Sequence, residues 1–236
     1  MMQEQTRKQA LIVLPGLTAD KEKRDSMLHF FAENAPYTVY VPNIPKRRGL
    51  KRCALWLGAY LDQVVRPERY DGIQVLAYIS GGFVLRQLSS SHPIQQVEHT
   101  VYVRSPIQEL TLQQFRERYG YLPLWLLRGQ LALDIVALDQ ENLEFPPAVS
   151  GQGLIVETGI SKLARSMGIG PEQVPTEAWE TDALLPGAND VIRVPESHDD
   201  VYTSTSVLGQ ALHFFTHRRF RKPSEHDPWM HHEDLG

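Results

Sequence analysis

Short apolar runs alternate with helix-like stretches along most of this chain. Residues 10–14 (ALIVL), 73–79 (IQVLAYI) and 153–158 (GLIVET) have the length and the Ile, Leu and Val content of buried strands. The stretches 21–32 and 53–65 space their apolar residues as helices do. Strands that alternate with helices predict the α/β class with a doubly wound, mostly parallel sheet, which has helices on both faces.

The remaining elements continue this alternation to the end of the domain. Further strands are predicted at 37–41, 97–103 and 190–194, and a closing helix at 204–217. A chain of 236 residues can bury a core of this size without crosslinks, so we expect one α/β domain over residues 1–222. The polar tail at 223–236 is expected to be flexible.

The stretch 107–150 interrupts the alternation and is long for a connection in a compact α/β unit. Its apolar spacing predicts helices at 110–118 and 122–138, which favours a helical cap inserted into the domain. Two roles are open for the apolar residues of this cap. Trp125, Leu126 and Leu127 would either line a lipid-binding cleft or pack the cap onto the sheet.

Composition excludes several classes of protein. The chain has 24 Lys and Arg residues against 28 Asp and Glu residues, and the net charge of −4 argues against a general nucleic-acid-binding surface. A single cysteine, Cys53, excludes a disulfide framework and a cysteine-rich zinc site. No apolar run approaches the roughly 20 residues that span a bilayer. Residues 1–8 lack the pattern of a signal peptide, so we expect a cytoplasmic protein.

Three segments at the ends of predicted strands carry the most distinctive motifs. They are residues 11–17 (LIVLPGL), 76–88 (LAYISGGFVLRQL) and 184–220, which contain ESHDD. In this order they resemble the oxyanion loop, the nucleophile elbow and the histidine-bearing end of the α/β-hydrolase superfamily, especially its small lipases and esterases. The resemblance implies the α/β-hydrolase fold and acyl-transfer chemistry that needs no cofactor and no metal.

The elbow departs from the family pattern G-x-S-x-G. Alignment without gaps puts Ile79 at the nucleophile position, and an isoleucine cannot attack a carbonyl. A shift of one residue puts Ser80 there instead, but then Tyr78 stands where the elbow needs a glycine. We favour the first alignment because it keeps the family spacing through Gly81. Since the elbow usually requires positive φ, the β-branched Ile79 would either relax the turn or be strained.

The oxyanion hole depends on backbone N–H groups and therefore tolerates side-chain changes. The resemblance implies one donor near Leu17. The second donor would be Ser80 in the first alignment and Gly81 in the second. Such a hole can bind a carbonyl or a carboxylate even where the nucleophile is lost. We therefore expect Leu17, Tyr78, Ile79 and Gly81 to form the pocket.

His198 follows the last predicted strand, where the resemblance implies the catalytic base. The acid is harder to assign because no Asp-Gly motif follows the preceding strand. Nearby carboxylates are Asp182, Glu177 and Glu180, of which Asp182 is the best available acid. The two aspartates directly after His198 are too close to it in sequence to orient its ring. Without an acid, the histidine would lose control of its tautomer.

Two functions from different classes are compatible with these residues. The favoured one is a degenerate esterase or lipase homologue that binds a small acyl or apolar ligand, or a partner protein. The alternative is an active serine hydrolase of carboxylic esters or thioesters, with Ser80 as nucleophile and His198 as base. A purely structural subunit is a third class, and it would expose a large apolar patch. The basic loop 46–52 is either a solvated turn or a contact for an anion.

Overall fold

The computed structural model describes residues 8–89, 96–138 and 151–222. Within these ranges six strands form one parallel sheet in the order β2-β1-β3-β4-β5-β6. The strands are β1 (Gln9–Leu14), β2 (Tyr37–Tyr40), β3 (Gly72–Tyr78), β4 (Val97–Arg104), β5 (Gly151–Gly159) and β6 (Asp190–Ser197). The predicted α/β class with a parallel, doubly wound sheet is confirmed, and the carboxyl ends of all six strands meet at one edge.

Helices connect the strands and cover the sheet. They are α1 (Lys21–Asn34), α2 (Leu50–Tyr60), α3 (Ile79–Ser89), α4 (Pro106–Tyr119), α5 (Tyr121–Arg128), α6 (Gln130–Ala137), α7 (Lys162–Ser166), α8 (Thr181–Leu184) and α9 (Thr205–His217). A π-helical turn at Leu61–Val65 and short 3₁₀ turns at Pro67–Arg69, Pro171–Gln173 and Thr176–Trp179 complete the described elements.

The two faces of the sheet bury separate apolar clusters. Leu11 and Val13 of β1 cluster with Phe31 of α1 and Phe214 of α9 on one face. Ile12 points to the opposite face, whose cluster includes residues of α2, α3 and α6. Because successive side chains of a strand alternate between the faces, a single apolar run can supply both clusters.

The predicted cap consists of α4, α5 and α6 within the described residues. The helix predicted over 122–138 is wrong in one respect, because Gly129 divides it into α5 and α6. Gly129 has φ 83° and ψ 179°, a conformation that is essentially restricted to glycine. Residues 139–150 of the predicted cap and the predicted tail at 223–236 lie outside the described residues.

The apolar side chains of α5 lie mainly on the surface. Trp125, Leu126 and Leu127 are 39%, 65% and 46% exposed, and Tyr121 and Leu122 beside them are also exposed. These side chains therefore do not pack the cap onto the sheet as the sequence allowed. That contact is made within α5 by the buried side chain of Leu124.

Candidate functional site

The turn after β3 leads directly into α3 at Ile79, at the carboxyl edge of the sheet. Among the described non-glycine residues, positive φ occurs at Arg66 and Arg218, so neither Ile79 nor Ser80 adopts it. Of the two outcomes that the sequence left for Ile79, the structure has the relaxed turn. A regular helix start suits a β-branched residue, for which positive φ is strongly unfavourable.

The side chains of Ile79 and Ser80 face different cavities. Ile79 lines an apolar cavity of about 420 Å³ between α3 and the cap. Ser80 lines a smaller cavity of about 140 Å³ beside the loop after β1, together with Gly16 and Leu17. The structure thus brings Ser80 to the predicted oxyanion loop and Ile79 to the apolar side of the edge.

The start of α3 lies very close to β1. A Cβ atom added at Gly81 would overlap the backbone carbonyl of Leu14, so only a glycine permits this approach. This contact fixes the first turn of α3 against the loop that continues from Leu14 to Leu17. Of the two residues predicted to belong to the pocket, Leu17 lines the smaller cavity and Gly81 lies against Leu14. Their role as a binding pocket stays a prediction.

His198 lies directly after β6 and is buried. Its Nδ1 atom is 3.0 Å from Oε2 and 3.3 Å from Oε1 of Glu157, a side chain with 0% exposure on β5. The parallel register of β5 and β6 produces this contact, since it pairs Glu157 with Val194 and Gly159 with Ser197. A buried carboxylate on Nδ1 can fix the orientation and the tautomer of the imidazole ring.

The other ring nitrogen of His198 is occupied by a tyrosine. The Tyr202 hydroxyl lies 3.3 Å from Nε2, and the Thr18 hydroxyl donates to Tyr202 over 3.2 Å. With a proton on Nδ1, the ring donates to Glu157 and accepts a hydrogen bond from Tyr202. Thr18, Tyr202, His198 and Glu157 therefore form one continuous hydrogen-bonded chain.

Tyr202 is held in this position by close packing. Its ring lies 4.6 Å from that of Tyr78, whose hydroxyl donates to the Val201 carbonyl over 3.3 Å. A Cβ atom at Gly16 would overlap the Tyr202 hydroxyl, so the tyrosine sits directly against the oxyanion loop. Burial raises the pKa of both tyrosines above the ordinary tyrosine value, and the nearby Glu157 carboxylate adds to this. Both hydroxyls stay protonated at neutral pH.

The carboxylates proposed from the sequence lie elsewhere. Asp182 is exposed in the first turn of α8, and Glu177 and Glu180 are exposed at the preceding 3₁₀ turn. The carboxylate that the structure pairs with His198 is Glu157 rather than Asp182. Among the described residues, no side-chain hydrogen bond joins Ser80 to His198. A catalytic role for Ser80, His198 and Asp182 thus stays a prediction.

Sequence reasoning missed Glu157 and Tyr202, although each left a weak signal. Glu157 is the one acidic residue in the predicted strand 153–158, and a carboxylate inside such a run needs a buried partner. Tyr202 follows His198 by four residues, which is one turn in any helical segment. The partners of both residues depend on tertiary contacts, which their spacing alone does not give.

The apolar cavity next to Ile79 is bounded by the cap. Leu112 of α4 and Ile135 of α6 line it, together with Val174 and Leu184. Arg104 binds Glu109, another lining residue, through two hydrogen bonds of 2.6 and 2.8 Å and donates to the Leu184 carbonyl over 2.9 Å. This ion pair ties α4 to β4 and to α8, so it holds the cavity wall in place.

Solved structures have a fold similar to that of this chain over nearly its whole length. An α/β-hydrolase enzyme from the metagenome of sediments of the lagoon of Mar Chica, Morocco, has a TM-score of 0.59 at 17% identity, covering 89% of this chain and 92% of that chain. A thermophilic esterase from Thermogutta terrifontis has a TM-score of 0.53 at 12% identity, covering 89% and 90%. This chain has the α/β-hydrolase fold.

Further structures with the α/β-hydrolase fold include a type II thioesterase of the yersiniabactin biosynthetic pathway, with a TM-score of 0.50 at 16% identity, covering 90% of this chain and 92% of that chain. No protein-family model and no curated protein sequence matches the chain. At these identities the likeness is one of fold, which hosts many activities, so function has to be inferred from the site.

Two negative findings concern the described part of the α/β-hydrolase fold. None of its helices is both long and apolar enough to cross a bilayer. The same residues contain no group of three or more His, Cys, Asp or Glu side chains arranged to hold a metal ion.

Proposed function

We propose that this chain is a catalytically impaired α/β-hydrolase homologue that binds a small acyl or apolar ligand beside Ile79. The observation that carries the proposal is the hydrogen bond of Tyr202 to Nε2 of His198. In a serine hydrolase, that nitrogen must take the proton of the nucleophile hydroxyl. Here Nε2 is engaged by a buried tyrosine, and the first residue of α3 carries no hydroxyl.

The other features of the site favour a protein that still binds a ligand. Glu157 and His198 keep a buried contact, and the first turn of α3 still abuts the oxyanion loop. The apolar cavity at Ile79 has the volume of a small-molecule site and is lined mainly by apolar side chains. An acyl or other apolar group of a ligand fits this lining best.

Hydrolysis of p-nitrophenyl butyrate tests the impaired chemistry. We expect the wild-type protein to hydrolyse the ester no faster than the His198→Ala variant. An activity that falls at least about a hundredfold in both His198→Ala and Ser80→Ala would contradict the proposal, since general-base catalysis contributes that much. It would instead support the alternative, an ester or thioester hydrolase that uses Ser80.

Binding of decan-1-ol tests the cavity. Ala183 is an exposed residue that lines it, so Ala183→Trp places a large side chain there without disturbing the core. Ala32 of α1 is exposed, lies outside the cavity lining and provides the matched control, Ala32→Trp. We expect calorimetry to show decan-1-ol binding to wild type and to Ala32→Trp, and binding at least about tenfold weaker to Ala183→Trp. Equal binding to all three proteins would exclude this cavity as the ligand site.

A second candidate function, an interaction protein, is favoured by the exposed apolar side chains of α5. Leu122 and Leu126 are 66% and 65% exposed and lie one helical turn apart. Contiguous exposed apolar residues mark interaction surfaces more often than chance. Light scattering of wild type and of Leu122→Glu/Leu126→Glu would test self-association. Self-association of the wild type that is lost in Leu122→Glu/Leu126→Glu would support this function, and a monomeric wild type or an unchanged variant would contradict it.

A further inference from the structure

The smaller cavity beside Ser80 is bordered by positive charge. Lys46 and Arg24 both line it, and Asp20 is the acidic residue in the lining. Asp20 caps α1 by accepting a hydrogen bond from the backbone N–H of Lys23. The cavity therefore carries two cations and one carboxylate that is already engaged by the backbone.

The two lining cations are held by carbonyl groups instead of carboxylates. Lys46 Nζ donates to the Leu17 carbonyl over 3.3 Å, and Arg24 donates to the Ala19 carbonyl over 3.0 Å. Across the described ranges, neither side chain forms an ion pair. These hydrogen bonds anchor both cations on the oxyanion loop without neutralising them.

A third cation, Arg128, lies beside them. Leu131 lines the cavity and donates its backbone N–H to the Lys46 carbonyl over 3.0 Å. A Cβ at Gly129 would overlap that same carbonyl, so the backbone that follows Arg128 packs on Lys46. The Nε atom of Arg128 is buried and has no hydrogen-bond partner among the described residues. The cavity lining among the described residues does not include Arg128, so its guanidinium adds positive charge beside Lys46 rather than a direct contact for a ligand.

The charges around Lys46 are mainly positive. Burial lowers the pKa of Lys46, and the neighbouring cations Arg128, Arg24 and Arg47 lower it further, whereas the Asp20 carboxylate acts in the opposite direction. The first turn of α3 adds a favourable field, because Ser80 is its second residue and lines the cavity. The cavity volume of about 140 Å³ is on the order of ten times what one water molecule needs, which admits a carboxylate or phosphate group.

The cationic cavity and the apolar cavity flank the same helix start. Ile79 lines the apolar one and the next residue, Ser80, lines the cationic one. Likewise Ile135 and Leu131, one turn apart on α6, line the apolar and the cationic cavity respectively. We infer that the ligand is an amphipathic anion, with its apolar chain against Ile79 and its carboxylate or phosphate group between Lys46 and Arg24, where the nearby charge of Arg128 adds to the attraction. This inference rests on the proposed function and names its ligand class.

Calorimetry with decanoate, decyl phosphate and decan-1-ol tests the inference at constant ionic strength. We expect at least one of the two anions to bind about tenfold or more tightly than the alcohol, the factor that one charge-assisted hydrogen bond supplies. The preferred anion identifies the head group as carboxylate or phosphate. Lys46→Gln/Arg128→Gln should bring the anion down to the affinity of the alcohol and leave the alcohol unchanged.

The control removes the same charge outside the cavity. Lys51→Gln/Arg52→Gln changes two exposed cations of α2 and should keep the preference for the anion. We would also measure the thermal unfolding midpoints of the single variants Lys46→Gln and Arg128→Gln. An unchanged midpoint shows that weaker binding is not caused by loss of folding. Each single variant should lower anion affinity by itself.

The outcomes separate the inference from the proposed function. Equal affinity of all three compounds for wild type overturns the anion site and leaves the apolar cavity as proposed. An anion preference that survives Lys46→Gln/Arg128→Gln also overturns the anion site. Binding of the anions that Ala183→Trp does not weaken supports the cationic cavity and contradicts the apolar one. If none of the three compounds binds, both the anion site and the proposed ligand-binding function are contradicted.

Discussion

The Tyr202 hydroxyl lies 3.3 Å from Nε2 of His198, on the side of the ring opposite to Glu157. A serine nucleophile would need this nitrogen as its base. In this chain a tyrosine on the same loop as the histidine satisfies it, and Gly16 leaves the space that the tyrosine hydroxyl requires. The histidine is therefore part of a closed internal network.

Removal of the Tyr202 hydroxyl should destabilise the fold. Tyr202→Phe removes the partner of the buried Nε2 atom of His198 and of the half-buried Thr18 hydroxyl, so we expect the free energy of unfolding in urea to fall by about 1–3 kcal/mol. Tyr119→Phe, at a tyrosine that is 47% exposed, is the control and should change it by less than about 0.5 kcal/mol. A Tyr202→Phe variant as stable as the control would mean that the network contributes nothing to stability.

Hydrolase activity should need two changes rather than one. Ile79→Ser supplies a hydroxyl at the start of α3, but His198 remains bonded to Tyr202, so we expect little gain in p-nitrophenyl butyrate hydrolysis. Ile79→Ser/Tyr202→Phe frees Nε2 and should exceed either single variant by about tenfold or more, a small share of the usual general-base contribution. Circular dichroism must show both proteins folded. Full activity from Ile79→Ser alone would show that Tyr202 does not block the base.

Replacement of Arg104 by lysine should weaken the ion pair with Glu109 at the cavity wall. Arg104→Lys keeps the charge but cannot form the two-pronged contact with Glu109 or reach the Leu184 carbonyl with the same geometry. We expect a loss of about 1–3 kcal/mol in unfolding free energy and weaker binding in the apolar cavity. Arg118→Lys, an exposed change on α4, the helix that carries Glu109, should have almost no effect on either quantity. Similar results for both variants would refute a special role for Arg104.

Alkaline pH should destabilise the protein through its buried thiol. Burial, and then the Asp134 charge, raise the pKa of Cys53 from 9.0 to about 11. The folded state keeps the Cys53 thiol proton to a higher pH than the unfolded state does. The contribution of this thiol to the free energy of unfolding is therefore constant below pH 9 and decreases as the pH rises toward 11. The slope from this one proton is at most about 1.4 kcal/mol per pH unit.

Urea unfolding from pH 7 to pH 11 measures this effect, and Cys53→Ala should show a shallower decline over the same range. The thiol should also resist iodoacetamide at pH 8 until urea unfolds the protein, because its folded-state pKa keeps it protonated. Rapid alkylation of the native protein at pH 8 would show that the thiol is accessible and not shifted.

The positions of the strands are predicted well from the sequence because strand periodicity is a local signal. The predicted strand at 10–14 corresponds to β1, and the helix predicted from 204 to 217 corresponds to α9, within one residue at each end. The break at Gly129 was harder to foresee, since an isolated glycine does not by itself end a helical pattern. It depends on the close contact with the Lys46 carbonyl, which only the folded structure supplies.

The candidate site was only partly predictable for the same reason. His198 was found because its place after the last strand resembles a known family position. Its partner Glu157 is 41 residues away and reaches it through the register of β5 and β6. Asp182 was nearer in sequence but lies exposed on α8. Proximity along the chain was therefore a poor guide to which carboxylate meets the histidine.

The most direct test of the central claim is labelling of the folded wild-type protein with a fluorophosphonate probe, followed by mass spectrometry to locate any modified residue. A base that is occupied by Tyr202 cannot activate a serine, so we expect no labelling above the level of the His198→Ala variant. Labelling at Ser80 that disappears in His198→Ala would contradict the account and establish an active hydrolase.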